Sequence, residues 1–307
     1  MKGSLWLEGT IYKTPKKLFN IKHNEYFWRN IIRVLHSYLR GASKSRKLEI
    51  ILNGENYNVR TNSKGHFKLK LSCDNGMSVD LNQLQVFMLK DNRKIHLQIP
   101  EPFKYCYFSY GNDKEAVISD IDDTILVTHT LNTFRKARTL LVKNAHKRKA
   151  VKEMKELYQQ FNEKGYSFFY VSNSESNLFP LIRIFLEHNH FPIGPIFLKP
   201  FVQWNQVFKK TKRTPNSSHK KERITFLLNT LKDMEFTLIG DDSQKDPEIY
   251  AEISRTFPGR IKQIYIRSVK KTISPGRYRL QKEVNGSLST DFVFFKEPKE
   301  IMGSINI

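Results

Sequence analysis

Apolar positions along this chain follow two different rhythms. From about residue 46 to about 72 they alternate, with Leu48, Ile50 and Leu52, then Tyr57 and Val59, then Phe67, Leu69 and Leu71. A period of two places one face of each segment in a core, so these groups predict strands. The polar stretch TNSKGHF separates the last two groups, and its Ser63-Lys64-Gly65 suits a hairpin turn. Upstream, EYFWRNIIRVLHSYL carries Phe27, Ile31, Val34, Leu35 and Tyr38 at helical spacing, and Gly41 can end that helix. The first third is therefore expected to be a smaller β-rich domain, residues 1–112, with one inserted helix.

From about residue 113 the rhythm changes to short apolar runs separated by long helical ones. Residues 116–118, 168–171, 236–239 and 264–266 read as buried strands, and LFPLIRIFLEHN and KERITFLLNTLK read as helices between them. Strands that alternate with helices imply a mainly parallel α/β sheet covered on both faces, over residues 113–307. SPGRYRLQKEVNGS reads as a loop and DFVFFKEPKE as a last strand and turn. No internal repeat is present.

Three of the four strands end in polar clusters, SDIDDT, SNS and GDDSQKD, and ligands of parallel sheets bind at the carboxyl ends of strands. The first cluster sets Asp120, Asp122 and Asp123 inside an otherwise apolar stretch. Burying unpaired carboxylates costs several kcal/mol each, so something cationic should meet them. A hard oxygen site suits Mg²⁺, which takes one or two carboxylates together with substrate phosphate oxygens. Asp120 directly after a strand and Asp122 two residues on allow one carboxylate to bind a cation and attack while the other faces the leaving group. Asp241 is the natural further carboxylate. Ser172 can donate to a phosphoryl oxygen, and Lys220, near the start of a helix, can neutralise one, with Lys221 competing for that role.

SDIDDT, YVSNS, HKKERI and GDDSQKDPEIYAEISRTFPGRIKQIYIR, in this order, resemble the haloacid dehalogenase-like phosphatase superfamily. More narrowly they resemble the phosphatidate phosphatase catalytic-domain family, the actin-patch-associated type and its bacterial relatives. The resemblance implies a haloacid dehalogenase-like Rossmannoid sheet in residues 113–307. It also implies Asp120 as nucleophile, Asp122 as general acid and base, Ser172 as phosphoryl holder and Lys220 as charge balance. Asp241 would bind Mg²⁺, with Asp246 supporting that ligand or the metal waters, and Asp120 and Asp122 would complete the metal site. Two departures stand out: SNSESN replaces the family's SNSPWN, which puts Glu175 and Ser176 where a proline and a large aromatic stand, and GDDSQKD replaces GDSGQKD. Asp242, the added carboxylate, is either a ligand or a solvated neighbour.

Composition narrows the partners. The 307 residues carry 52 Lys+Arg against 30 Asp+Glu, a formal charge of +22, which favours anionic partners. Arg135, Lys136, Arg138, Lys143, Lys147, Arg148, Lys149 and Lys152 crowd one face of a long helical stretch. Its other face holds Phe134, Ala137, Leu141, Ala145, Val151, Met154, Tyr158 and Phe161. FKKTKRTPNSSHKK adds a second basic segment, which reads as a loop. These features point to a peripheral contact with anionic phospholipid and to a phosphomonoester such as phosphatidic acid as substrate. The alternatives are a soluble phosphomonoester, or a non-catalytic protein binding membrane or nucleic acid; no zinc-ligand or RNP-like motif favours the last. The two cysteines, Cys73 and Cys106, lack metal-site spacing, and the N-terminus lacks an apolar leader core, so a reducing cytoplasmic compartment is expected, with peripheral contact at the inner membrane face.

Overall fold

The computed structural model describes residues 3–11, 43, 45–73, 83–91, 93–97, 113–122, 124–125, 152–176, 179–200, 216–270 and 272–306. The expected helix around residues 25–39, Asp123, the basic stretch 131–151 and the FKKTKRTP part of the second basic segment lie outside these residues. The chain divides into two compact units, one of Met1–Tyr107 with Pro200–Thr211 and the other of Phe108–Lys199 with Lys212–Ile307.

The first unit holds β1 (Gly3–Thr10), β2 (Lys47–Leu52), β3 (Glu55–Arg60), β4 (His66–Cys73), β5 (Gln85–Lys90) and β6 (Arg93–Leu97). β1 and β4 form one antiparallel pair, and β3-β2-β5-β6 form a four-stranded antiparallel sheet. Leu48, Ile50 and Val86 of the larger sheet join Phe67 of the smaller one in a single core, with Leu7, Tyr57, Val59 and Leu69 packed at its edge. The alternation seen in the sequence is the inward face of these strands.

One expectation is corrected here. TNSKGHF is not a hairpin turn between paired strands, because β3 pairs with β2 and β4 pairs with β1, so the segment carries the chain from one sheet to the other. Asn62 Oδ1 accepts the main-chain N–H groups of Lys64 and His66, and Gly65 takes φ +72°, which shape that crossing. The tight hairpin is Asn53-Gly54 between β2 and β3. Both residues have positive φ there (49° and 80°), as a two-residue turn of this hand requires.

The second unit is built on β7 (Glu115–Ser119), β8 (Ser167–Glu175), β9 (Ile196–Lys199), β10 (Glu235–Asp241), β11 (Ile261–Arg267) and β12 (Asp291–Phe295). All are parallel, in the order β12-β11-β10-β7-β8-β9. The chain steps from β7 outward to β9, then returns to the other side of β7 to begin β10. This is the doubly wound order with its switch point between β7 and β10.

The helices are α1 (Lys152–Glu163), α2 (Phe179–His188), α3 (Asn216–Thr230), α4 (Asp246–Thr256), α5 (Pro275–Ser287) and the short α6 (Lys299–Met302). Leu238 and Ile239 are both fully buried, as are Val117 and Ile118, because helices cover both faces of the sheet. Ile224, Leu227 and Leu228 of α3, with Ile249, Tyr250 and Ile253 of α4, close one core. On α1, Met154, Leu157, Tyr158 and Phe161 are buried; Tyr158 stacks on Phe168 at 5.6 Å and meets Phe191 edge-on at 5.3 Å.

Two further expectations change. SPGRYRLQKEVNGS forms α5 rather than a loop: Ser274 precedes the helix and Pro275 opens it, where its missing N–H is not needed. The helix buries only Val284, so it lacks the apolar stripe that would have announced it. The NSSHKK end of the second basic segment is the start of α3, which places Lys220 inside the helix.

Gly194 lies in the link into β9, where a Cβ would come within 2.0 Å of the Phe168 carbonyl oxygen. That clash is with backbone and has no cheap relief. Gly194→Ala is expected to destabilise the second unit by about 2 kcal/mol or more in chemical denaturation. A variant as stable as the parent would contradict this close approach.

Candidate active site

The sheet order explains why carboxylates meet at one point. β7 and β10 flank the switch point, and their carboxyl ends deliver Asp120 and Asp241 side by side. The Asp120 N–H donates to the Ile239 carbonyl at 2.9 Å, which carries the pairing of β7 with β10 one residue past the strand. Ser119 Oγ donates to the Asp120 carbonyl at 2.6 Å and lies 2.6 Å from the Tyr158 hydroxyl, so α1 braces the same turn.

Asp120, Asp122, Ser172, Lys220, Asp241, Asp242 and Asp246 are all at most 4% exposed. Lys220 Nζ lies 3.0 Å from Asp120 Oδ1 and 2.5 Å from Asp246 Oδ1. Lys221, the competing lysine, instead pairs with Glu252 at the surface, 2.6 Å away. Carboxylate oxygens of Asp120, Asp241 and Asp246 lie within 4.8 Å of one another. Asp241 Oδ1 accepts from the Ser243 N–H at 2.6 Å, and Asp241 Oδ2 accepts from Thr124 at 3.4 Å.

Gly240 makes room for this cluster. A Cβ there would fall 2.5 Å from Asp246 Oδ2 and 2.9 Å from Tyr250 Cε2, so a side chain would push Asp246 out.

The electrostatics are those of too many acids in a dry place. Burial, opposed by Lys220 and reinforced by Asp246, Asp241 and Asp122, holds the Asp120 carboxyl well above the usual range. Burial likewise pushes Asp246 up to about 6 against the pull of Lys220. For Lys220 burial works against the charge, yet Asp120 and Asp246 outweigh it and hold the ammonium above its usual range.

Three carboxylates thus face one ammonium, an excess of two negative charges. Apart from the Lys220 ammonium beside Oδ1, both Asp120 oxygens are buried without a partner among the described residues. A hard divalent cation fits this donor set in charge, ligand type and spacing.

Asp122 stands apart from that set. Its Oδ2 accepts from Ser172 Oγ at 2.9 Å and Ser174 Oγ at 3.0 Å, while its Oδ1 is buried and unpartnered among the described residues. The Asp122 carboxylate, bonded to two serines, is not grouped with the carboxylates of Asp120, Asp241 and Asp246. Ser172, expected to face a phosphoryl oxygen, donates its hydroxyl to Asp122 and accepts from the Ser174 N–H at 2.9 Å. A phosphoryl oxygen would have to compete for that proton.

Asp242 is not a solvated neighbour, and it does not join the carboxylate cluster of Asp120, Asp241 and Asp246. It is fully buried, and its Oδ1 accepts from the Val269 and Lys270 N–H groups at 2.8 and 3.1 Å. Its own carbonyl accepts from Arg277 Nη1 at 2.6 Å. Arg277 Nη2 donates to the Gln244 carbonyl at 2.6 Å, and Arg277 Nε donates to Glu248 at 2.9 Å. One guanidinium thus ties down the turn between Asp241 and Asp246.

Sequence reading missed Ser174, Thr124, Arg277 and His219. The signal for Ser174 was visible, as the second serine of SNS. His219 is pushed from 6.5 to about 4 by burial, with Arg223, Lys199 and Lys220 adding to it. It is neutral in the fold, and the stability that this preserves is held above pH 6.5 and lost as pH falls toward 4.

A doubly wound parallel sheet with a buried Asp-Lys-Asp centre at its switch point defines the class of this unit. The family profile described as the phosphatidate phosphatase APP1 catalytic domain matches residues 115–268, half of the chain, and the chain belongs to that family. It is 33% identical over 179 residues to Phosphatidate phosphatase APP1 of Saccharomyces cerevisiae, covering 57% of this chain and 29% of that protein. It is 29% identical over 155 residues to an uncharacterized protein of Schizosaccharomyces pombe, covering 50% of this chain and 25% of that protein. The matched parts are thus less than a third of either relative's length. Among solved structures, a chain of the Pnkp1/Rnl/Hen1 complex aligns over 60% of this chain and 58% of its own, at 13% identity and a TM-score of 0.37, a likeness too loose to bear on function. In SNSESN, β8 continues to Glu175, which pairs in register with Lys199 of β9.

Arg277→Ala should release the turn. Amide exchange across residues 242–245 is expected to quicken by about tenfold or more, because two carbonyls and Glu248 lose a charged donor worth about 1.5–3 kcal/mol per bond. Unchanged exchange there would show that other contacts hold the turn.

Proposed function

We propose that this protein is a Mg²⁺-dependent phosphomonoesterase that works through an aspartyl-phosphate on Asp120, with phosphatidic acid or a related lipid monoester as substrate. The observation that carries the reaction type is the buried Asp120 carboxylate, held 3.0 Å from the Lys220 ammonium with both oxygens otherwise unpartnered among the described residues. Membership of the family and the printed name of the yeast relative support the lipid as substrate. Among the described residues no helix is long and apolar enough to cross a membrane, in keeping with attachment at the surface.

In this reading Asp120 Oδ attacks phosphorus as the bond from phosphorus to the alcohol oxygen breaks. Asp122 gives the departing alkoxide its proton, from the Oδ1 edge that Ser172 and Ser174 leave open. Asp122 then takes a proton from water, the water oxygen attacks phosphorus, and the bond to Asp120 breaks to release phosphate and the free carboxylate. This divides one hard displacement into two easier ones. Lys220 offsets the negative charge that Asp120 and the phosphoryl oxygens bring together.

Asp120, Asp241 and Asp246 would hold Mg²⁺, which supplies neutralisation of phosphoryl charge. Ser172 and Ser174 act by fixing the Asp122 rotamer, and Arg277 acts by fixing the turn that bears Asp241 and Asp246.

Asp120→Asn is expected to lower phosphate release by on the order of 10³-fold or more, with the fold intact by circular dichroism. The parent should hydrolyse phosphatidic acid in mixed micelles. Turnover of a soluble aryl phosphate alone would keep the chemistry and discard the lipid, and a fully active variant would remove Asp120 from its role.

Metal binding has its own readout. Mg²⁺ at about a hundredfold its Kd should stabilise the protein by about 2.7 kcal/mol in thermal melts, and Asp241→Asn should abolish that gain. Equal stabilisation of parent and variant would place the ion elsewhere.

A further inference from the structure

The described residues leave four large apolar side chains exposed: Ile95, Ile193, Val269 and Tyr278. Two of them, Val269 and Tyr278, are tied to Asp242 at the carboxyl end of the sheet, Val269 directly and Tyr278 through the residue before it. The Val269 N–H donates to Asp242 Oδ1, and Arg277, the neighbour of Tyr278, donates to the Asp242 carbonyl. Asp242 therefore holds the exit of β11 and the first turn of α5 together. Val269 is 41% exposed and Tyr278 48% exposed, although the Tyr278 ring meets Phe294 of β12 edge-on at 6.3 Å.

Cations surround them. Lys270, Arg279 and Lys282 are exposed, and none has an acidic partner among the described residues. Elsewhere in the same unit Lys221 pairs with Glu252, Arg255 with Glu283 and Lys262 with Glu235, while Lys232, Lys245, Lys296 and Lys299 are exposed singly without an acidic partner among the described residues. Here the charges stand unneutralised around an outward aromatic ring, and Tyr278 and Lys282 lie on one helical stripe, four residues apart.

We propose that Val269, Lys270, Tyr278, Arg279 and Lys282 form the surface by which this protein docks on an anionic phospholipid bilayer. Tyrosine is favoured at the level of the headgroups, where its ring meets apolar matter and its hydroxyl stays wet. Lysine and arginine are drawn to the negative leaflet around it. The placement also suits the chemistry. A lipid phosphate stays in the headgroup layer, so an enzyme attacking it must turn the carboxyl end of its sheet to the bilayer, the end at which Val269 and Lys270 leave β11 and from which the helix bearing Tyr278, Arg279 and Lys282 starts. The inference rests on the lipid phosphatase reading given above.

The test uses the full chain and two variants whose altered residues stay clear of the Asp242 bonds, Tyr278→Ser and the double variant Arg279→Glu/Lys282→Glu. Binding is read by sedimentation with phosphatidylcholine vesicles containing phosphatidylserine. Turnover is read on vesicles containing phosphatidic acid and, separately, on a soluble aryl phosphate.

Each basic residue near such a surface is worth about fivefold in partitioning, so the charge reversal should weaken binding by at least about tenfold, with vesicle turnover falling in step and aryl phosphate turnover within about twofold of the parent. Tyr278→Ser should lower vesicle binding as well. If that variant loses its fold, the charge reversal decides alone. Parent-like sedimentation of the charge-reversed protein would overturn the proposal. So would tighter retention of a single-stranded oligonucleotide than of vesicles, lost in both variants, which would assign the rim to nucleic acid. Should the parent hydrolyse neither substrate, the phosphatase reading fails, and the sedimentation comparison still decides the docking face.

Discussion

The Lys220 ammonium, out of water and between Asp120 and Asp246, is the contact on which the rest of the second unit turns. A lone charge of either sign in that position would be strongly unfavourable, and removing one partner of such a group costs about 3–5 kcal/mol. The fold meets this by bringing its elements together there. β7 delivers Asp120, β10 delivers Asp241, α4 opens with Asp246, and α3 carries Lys220. Gly240 leaves the space in which Asp246 reaches back toward β10. The arrangement still holds more acids than ammonium groups, and burial, with the neighbouring acids adding to it, raises the carboxyls of Asp120 and Asp246 against the pull of Lys220.

Around this centre the polar contacts divide by task. Ser172 and Ser174 hold one oxygen of Asp122 and leave the other open. Asp242, one residue beyond the metal-type ligand Asp241, looks the other way and ties the exit of β11 to the same turn. Arg277 then joins that turn to α5, so the segment after residue 268 supports the site from behind. Since α5 also bears Tyr278, Arg279 and Lys282, the support and the outward rim belong to one element. Contact of that element with a surface would act close to the ligands, without any long path through the fold.

How much of this was legible in the sequence depended on which physical signal each element left. β7, β8, β10 and β11 were plain, because strands buried on both faces read as short apolar runs and their carboxyl ends broke into SDIDDT, SNS and GDDSQKD. α5 was hidden: Ser-Pro-Gly reads as a turn, and a helix that buries only Val284 shows no stripe. β1 was hidden too, since its partner β4 lies about sixty residues downstream and pairing across that distance leaves no local mark. The turn TNSKGHF carried the right residues for a bend but no information on which strands it would join.

For the site, residue types and spacing pointed to Asp120, Asp241 and Lys220, the family resemblance added Asp246, and the structure brings these four together. Direction was not legible. Nothing in GDDSQKD says that Asp242 turns toward the amides of Val269 and Lys270, or that the hydroxyl of Ser172 is given to Asp122, because those facts depend on which way each side chain leaves the end of a strand. The central claim remains that Asp120 carries the phosphoryl group. Rapid quench of a single turnover with sodium borohydride, followed by peptide mass spectrometry, tests it most directly. Reduction of an acyl phosphate would leave homoserine at position 120, which is the predicted result; an unmodified Asp120 throughout turnover, or homoserine at another carboxylate, would contradict the account.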